Sequence, residues 1–391
     1  MPIVFSNDNA SSYLNTLYET PAPSVSSGYL YGWGNNTIGQ IGNGTSSTTY
    51  VSEPVKISDT KWKCVHINYA GSLGTENRIA LDENGYLYRW GRFTGDGYVF
   101  NGTTLTPVKV NDTKWSAVAY TGKVLLMQGE DGLYGYGDPW NMTLGDPDVL
   151  WNNGTINQDS STVETPFVVS NTKWKQLTTS GYGNIYALNE EGLLYTWGSG
   201  GIPEYDTDIN GKTGNLAFPF QLSTTKWKKI IDGGDWKCVL TEDDKLYHWG
   251  YGPTDIWSAT PAITNPIPLG DTKWKCIAAR DTTLVGINDT GDMYGVGSMK
   301  YGIFGIDSTQ AQLTPMKLNN SKWKSVVISN LTIFAIDEND LLYGWGRNAN
   351  SIFGTSMTPG ATQYTPLKIN NLTWKQVYAG RDGVVHGLRD E

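Results

Sequence analysis

The chain has 391 residues, a formal net charge of −9 and a pI near 4.9, and only seven of its 29 basic residues are arginine, so no nucleic acid is expected as a partner. Its three cysteines and three histidines stand singly, with no Cys-x-x-Cys and no histidine pair at ligand spacing. That pattern leaves no disulfide framework, metal or cofactor to expect, and no apolar stretch approaches the length of a membrane span, so no membrane insertion is expected either.

Residues 1–27 precede the patterned part of the chain. Met1 to Asn15 lacks a basic n-region and holds only Pro2 to Phe5 as an apolar run, so no secretory signal is expected. Thr20 to Ser27 reads as an extended linker. Phe5, Tyr13, Leu14, Leu17 and Tyr18 are more apolar than a solvated tail requires, which makes the arm a candidate anchor.

From Gly28 onward the chain is a repeat. A proline stands eight residues ahead of a tryptophan seven times, at Pro54/Trp62, Pro107/Trp115, Pro166/Trp174, Pro219/Trp227, Pro266/Trp274, Pro315/Trp323 and Pro366/Trp374. Three residues after each tryptophan comes an aliphatic residue (Val65, Val118, Leu177, Ile230, Ile277, Val326, Val377), as a half-buried strand prefers. A second run then leads through a polar turn into a Leu-Tyr-x-Trp-Gly type segment, the signature of a β-hairpin. The spacing inside that hairpin is constant: Leu81 to Tyr88, Met127 to Tyr134, Leu188 to Tyr195, Leu240 to Tyr247, Ile287 to Tyr294 and Ile336 to Tyr343 are each seven residues apart. After the Trp-Gly glycine comes a polar segment of variable length, and the proline is expected to open the fourth strand, where its missing N–H costs no ladder bond.

Four short strands in each unit of 47 to 59 residues, without helical periodicity, predict an all-β fold: a seven-bladed β-propeller of four-stranded antiparallel blades over 28–391. The last unit stops three residues after Leu388, and the first Tyr-x-Trp-Gly segment has no partner strand before it. Joining Glu391 to Gly28 places Tyr31 seven positions after Leu388, the spacing of the six intact hairpins. One blade is therefore expected to pair strands from the N- and C-terminal ends of the chain.

Trp33-Gly34-Asn35-Asn36-Thr37-Ile38-Gly39-Gln40-Ile41-Gly42-Asn43-Gly44, followed by Pro54-Val55, resembles the regulator-of-chromosome-condensation (RCC1-like) repeat in its bacterial or phage-type form, and Trp345 to Asn348 with Phe353-Gly354 is a second copy. The resemblance extends over 28–391 and implies a seven-bladed propeller; the Gly-x-x-His-Thr element typical of the family is missing. Family analogy also implies guanine-nucleotide exchange as one alternative function, with Gly137 to Thr165 as the insertion long enough for an inserted wedge.

Twelve of the sixteen tryptophans are repeat markers and read as packing residues; Trp140, Trp151, Trp236 and Trp257 are not. Trp140 and Trp151 share the Gly137 to Thr165 segment with Asp146, Asp148 and Asn152, and aromatic faces beside carboxylates and amides are what sugar recognition uses, so these five are the candidate ligand-binding residues. No triad, phosphate loop or metalloprotease motif accompanies the histidines, so no catalytic residue and no enzyme activity are expected. A surface rich in Gly, Thr, Asn and aromatics with 17% charged residues suits a protein that works outside a cell. The expectation is a phage virion component (tail fibre, tail tip or decoration), made in the host cytoplasm. Its arm would join other virion proteins, and its propeller would bind a host-surface glycan or protein. An intracellular protein-interaction scaffold is the alternative.

Overall fold

The computed structural model describes residues 27–69, 76–93, 100–120, 124–137, 151–152, 155–156, 163–179, 184–198, 216–233, 236–250, 263–281, 283–308, 310–329, 331–354, 357–380 and 383–391. Its strands run, in chain order, β1 (Gly28–Asn36), β2 (Ser47–Tyr69), β3 (Glu76–Asp82), β4 (Tyr86–Phe93), β5 (Gly102–Lys114), β6 (Ala117–Tyr120), β7 (Val124–Gln128), β8 (Leu133–Gly137), β9 (Trp151–Asn152) and β10 (Thr155–Ile156). They continue with β11 (Val163–Ser170), β12 (Trp174–Thr179), β13 (Asn184–Asn189), β14 (Leu193–Gly198), β15 (Leu216–Lys226), β16 (Lys229–Asp232), β17 (Trp236–Leu240), β18 (Lys245–Gly250) and β19 (Ile263–Arg280). The last are β20 (Thr283–Asn288), β21 (Met293–Ser298), β22 (Ala311–Lys317), β23 (Trp323–Ser329), β24 (Thr332–Asp337), β25 (Leu341–Arg347), β26 (Thr362–Thr373), β27 (Gln376–Ala379) and β28 (Val384–Arg389).

Apart from the separate β9–β10 ladder, these strands sort into seven four-stranded antiparallel blades of a β-propeller. Blade 1 is the second half of β2 with β3, β4 and β5; blade 2 is β6, β7, β8 and β11; blade 3 is β12 to β15; blade 4 is β16 to β18 with the first half of β19. Blade 5 takes the second half of β19 with β20 to β22, blade 6 is β23 to β26, and blade 7 is β27, β28, β1 and the first half of β2. Strands β2 and β19 each leave one blade as its outer strand and enter the next as its inner strand without a break. Among the described residues there is no α-helix, only two single 3-10 turns at Lys300–Gly302 and Ala349–Ser351.

Blade 7 draws its strands from both ends of the chain. β1 pairs with β28 from Tyr29↔Arg389 to Gly34↔Val384, and β28 pairs with β27. The inner strands then follow one another around the axis, β2 beside β6, β6 beside β12, and so on to β23 beside β27 and β27 beside β2. Lys375 holds the two ends together, its Nζ donating to Ser27 O at 3.0 Å and lying 2.6 Å from Asp390 Oδ1.

All twelve marker tryptophans are buried, as expected of packing residues. In blades 1, 3, 6 and 7 the inner-strand tryptophan lies against its own Trp-Gly tryptophan, with ring centroids 5.8, 5.5, 5.5 and 5.4 Å apart, and the tyrosine two residues earlier meets it edge-on. Such tilted and edge-on contacts are the favoured aromatic geometries. In blade 7 this cluster joins Trp374 from one chain end to Tyr31 and Trp33 from the other.

The repeat prolines do not open their strands. Each lies inside the outer strand, at a bulge where three residues oppose one: Gly32↔Val55 is followed by Gly34↔Val51, so Ser52, Glu53 and Pro54 face Trp33. The same shift brackets Pro107, Pro166, Pro219, Pro266, Pro315 and Pro366. A residue without an N–H suits an unpaired bulge position as well as it suits a strand start, and the outer strand therefore begins several residues earlier than the proline suggests.

The step from each outer strand to the next tryptophan is a tight polar turn whose best form is visible twice. Asn319 Oδ1 accepts from the Ser321 N–H and from Trp323 Nε1, each at 3.0 Å, and Asn370 does the same for Leu372 and Trp374. At the equivalent positions Ser170 and Ser223 accept only the backbone bond, and the buried indole N–H groups of Trp174 and Trp227 have no acceptor. Ser170→Asn and Ser223→Asn should each raise unfolding free energy by about 1 kcal/mol by supplying that acceptor. Guanidinium unfolding of the two variants checks this, and unchanged or lower stability in both would refute it.

Candidate interaction surface

Antiparallel connectivity gives the molecule two unlike faces. One carries the hairpin turns between second and third strands and the steps into each inner strand, all short. The hairpin turns latch onto the next blade: the N–H of Trp115, Trp227, Trp274, Trp323 or Trp374 donates to the carbonyl of the turn residue held at positive φ (Gly85, Gly192, Asp244, Gly291, Asp340) at 2.8–2.9 Å. The opposite face receives the connections between first and second strands and those between third and fourth, the latter ranging from 94–101 to the much longer 138–162.

Where that loop face is described, its loops are fixed to the blades. In blade 7 Asn36 Oδ1 accepts from the Ile41 N–H at 3.1 Å while its amide donates to Thr45 O; in blade 6 Asn348 binds Phe353 N–H at 3.1 Å and donates to Met357 O and Thr358 O. Each loop then passes under the next blade, where an indole reads its backbone: Trp90 Nε1 donates to Gln40 O, Trp345 Nε1 to Ile303 O and Trp33 Nε1 to Ile352 O, at 2.9–3.1 Å. The Trp-Gly glycine has a related cause. Gly34 and Gly346 hold φ of 99° and 100°, and a Cβ on either would stand 2.2–2.3 Å from the carbonyl oxygen of Gly383 or Leu331. Those same carbonyls accept from Asn35 N–H and Arg347 N–H. Tryptophan, glycine and the asparagine two residues on are therefore parts of one loop anchor, and the asparagine role was open to the sequence through its fixed offset from Trp-Gly.

Below this face the blades are tied by buried polar groups. Gln176 in blade 3 both donates to Ile230 O at 2.7 Å and accepts from Ile230 N–H at 2.9 Å in blade 4. Arg280 donates to Ile328 O and Ser329 to Gly380 O, linking blades 5, 6 and 7. At the joint of blades 3 and 4, Lys237 Nζ lies 3.0 Å from Asp232 Oδ1 and 5.2 Å from the Tyr186 ring centroid, with both charged side chains buried. The cost of taking both charges out of water offsets much of their attraction, so a pair so enclosed adds little net stability.

Of the candidate ligand-binding residues, Trp140, Asp146 and Asp148 lie outside the described residues. Trp151 and Asn152 form β9, which pairs with β10 as a two-residue ladder, Trp151 opposite Ile156 and Asn152 opposite Thr155. The arm residues Phe5, Tyr13, Leu14, Leu17 and Tyr18 also lie outside the described residues. Trp236, off the repeat pattern, is buried and donates through Nε1 to Asp281 O at 2.6 Å, so it joins blade 4 to blade 5.

The histidines are less isolated than their sequence context suggests. Strand alternation puts Cys64 and His66 on one side of β2, with Sγ 3.6 Å from Nε2, and Cys238 pairs across the ladder with His248. Burial pushes the Cys64 thiol up to about 11 and the His66 imidazole down to about 3, so both are neutral near pH 7 and form no thiolate–imidazolium pair. All three cysteines are free thiols, and among the described residues no group of histidine, cysteine and carboxylates has metal-site geometry.

Residues 27–73 match the Regulator of chromosome condensation (RCC1) repeat, a span that covers β1 and β2. The chain is 26% identical over 234 residues to the Arabidopsis thaliana mitochondrial RCC1 domain-containing protein RUG3, covering 57% of this chain and 50% of that protein. It is 25% identical over 262 residues to the human E3 ubiquitin-protein ligase HERC2, covering 62% of this chain and 5% of that protein. It thus spans half or less of the length of these relatives. Among solved structures, Saccharomyces cerevisiae Prp20p, studied for binding to Gsp1p and histones, superposes with a TM-score of 0.70 at 20% identity over 99% of this chain and 95% of that one. Human WBSCR16 gives 0.68 at 15% identity over 93% and 100%. Yeast Prp20 has also been solved with Kap60 bound. These structural likenesses are of fold, and the repeat is RCC1-like.

Proposed function

We propose that this RCC1-like propeller is a non-enzymatic platform that holds protein partners on its loop face. The observation that carries this reading is the contrast between the faces: one is uniform and used for latching blade to blade, while the other bears long, dissimilar segments on a scaffold stiffened by buried ties. Binding residues collect on loops so supported. Fold alone does not assign function, but protein binding by Prp20p shows that the architecture accommodates it. A virion component anchored by residues 1–27 is a narrower form of the same reading; composition alone speaks for it, and none of the relatives named above is a virion protein.

A photo-crosslinking amino acid placed at Asn101, Trp151 or Thr358 on the loop face should give protein adducts in an extract of the source cells. The same group at Glu190 or Glu338 on the turn face should give few. Adducts concentrated at the turn face would overturn the assignment.

A further inference from the structure

We infer that Asn101 is a site of covalent modification: the asparagine–glycine junction at the entry to β5 deamidates without an enzyme to aspartate and isoaspartate, while the fold protects the same junctions at Asn43 and Asn84. This goes beyond the binding role proposed above and does not depend on it.

The backbone nitrogen that follows the asparagine gives up its proton to base and attacks Cγ. The N–Cγ bond forms, the Cγ–Nδ2 bond breaks, and Nδ2 leaves as ammonia with one added proton, so that a five-membered succinimide remains. Water then opens the ring. Addition at Cγ restores the peptide with an ordinary aspartate, and addition at the backbone carbonyl carbon gives isoaspartate, whose main chain runs through Cβ and Cγ. One water is consumed, one ammonia is released, and nothing is oxidised or reduced. The requirements are a nitrogen held beside the carboxamide, no side chain in the way of the closing ring, and access to water.

Five asparagines precede a glycine, Asn43, Asn84, Asn101, Asn153 and Asn210. The last two lie outside the described residues. The fold treats the other three differently. After Asn43, the Gly44 N–H donates to Leu105 O at 2.8 Å, and Asn43 Oδ1 accepts from Thr45 N–H, Thr45 Oγ1 and Asn36 Nδ2. After Asn84, the buried Gly85 donates to Asp82 O at 3.1 Å and accepts from the Trp115 N–H. Each of these nitrogens is tied to a carbonyl elsewhere in the chain, and attack must first break that tie. The Gly102 N–H instead donates to Oδ1 of Asn101 itself at 2.8 Å, so nucleophile and carboxamide are already side by side. Asn101, Gly102 and Thr103 are all exposed. A Cβ on Gly102 would meet nothing within 4 Å, whereas one on Gly85 would stand 2.8 Å from Trp115 O.

Both flanks of the reactive junction are fixed. Phe100 meets the rings of Phe93 and Tyr136 edge-on at 5.5 and 5.7 Å, and on the other side Gly102 pairs with Phe93 and Thr103 with Arg92. Isoaspartate adds one methylene to the main chain between these anchors. It therefore displaces the start of β5 from β4 and puts a carboxylate on the loop face.

The test incubates the intact protein in heavy-oxygen water at pH 8.5 and follows its peptides by mass spectrometry. The Asn101 peptide should take up one heavy oxygen at least tenfold faster than the Asn43 and Asn84 peptides, with isoaspartate among its products, and more slowly at pH 6.5. In urea-unfolded protein the three rates should lie within threefold of one another. Asn101→Gln, which would have to close a larger ring, should melt like the wild type and lose the uptake. Equal rates at the three sites of the folded protein overturn the inference. So does a preference for Asn101 that persists in urea, because the fold would then not be its cause. Uptake without isoaspartate, or an Asn101 that reacts only once the chain is unfolded, also overturns it.

Discussion

A chain that ends at Thr373 should lose cooperative unfolding. Removing 374–391 takes away β27 and β28, and with them the whole pairing surface of β1 on one side. Trp374, Val377, Val384, Val385 and Leu388, all buried, would be gone, and Leu30 and Trp33, which are fully buried, would face solvent. At about 1.5–3 kcal/mol for each large apolar side chain, the loss is on the order of 10 kcal/mol. That equals the entire stability of many domains, roughly 5–15 kcal/mol. The bare edge of β1 would also be open to pairing with other chains, so soluble oligomers or precipitation should accompany the loss. Deletion of 1–26 is the matched control, since the first strand begins at Gly28, and it should leave the melting temperature within a few degrees. A 1–373 protein that melts like the intact chain would mean that blade 7 is dispensable and that the seam between the chain ends holds nothing together.

The seam was legible in the sequence because it depends on spacing alone. Tyr31 falls seven positions after Leu388 once the ends are joined, and strand pairing converts that count directly into the Tyr31↔Gly387 and Leu30↔Leu388 register. Features that depend on contacts between blades were not legible. Nothing local to Trp33 shows that its indole will meet Ile352 O, 319 residues away, because the partner is set by how one blade rests on another. The proline was misplaced for a related reason. Pro54-Val55-Lys56-Ile57 looks like the start of a strand, but β2 already begins at Ser47 and passes through a bulge that only pairing with β1 defines.

Between pH 7.5 and 5.0 the protein should lose much of its stability through three buried histidines. Burial pushes His66 down to about 3 and His248 down to about 4. His386 is also pushed down to about 3, by burial first and by the nearby Arg78 guanidinium second; its Nε2 lies 3.1 Å from Ile41 O and its ring 5.9 Å from the Trp90 ring centroid. The ordinary value near 6.5 applies once the chain unfolds. Below that value the unfolded chain binds more protons than the folded one, so stability present above pH 6.5 is lost as the pH falls towards the folded values. Each histidine contributes about 1.4 kcal/mol per pH unit in that interval, hence about 2 kcal/mol at pH 5.0 and roughly 6 kcal/mol for the three. The carboxylates held low by lysine partners, Asp292 among them, act in the same direction but only below their unfolded values near 4, which leaves the higher window to the histidines. Guanidinium unfolding at the two pH values should show this difference in the wild type. Single His66→Gln, His248→Gln and His386→Gln variants should each lose about a third of it, whatever their stability at pH 7.5. A wild type equally stable at both pH values, or variants that keep the full difference, would show that these imidazoles are protonated within the fold and that the joints around β1, β2 and β18 admit water and charge.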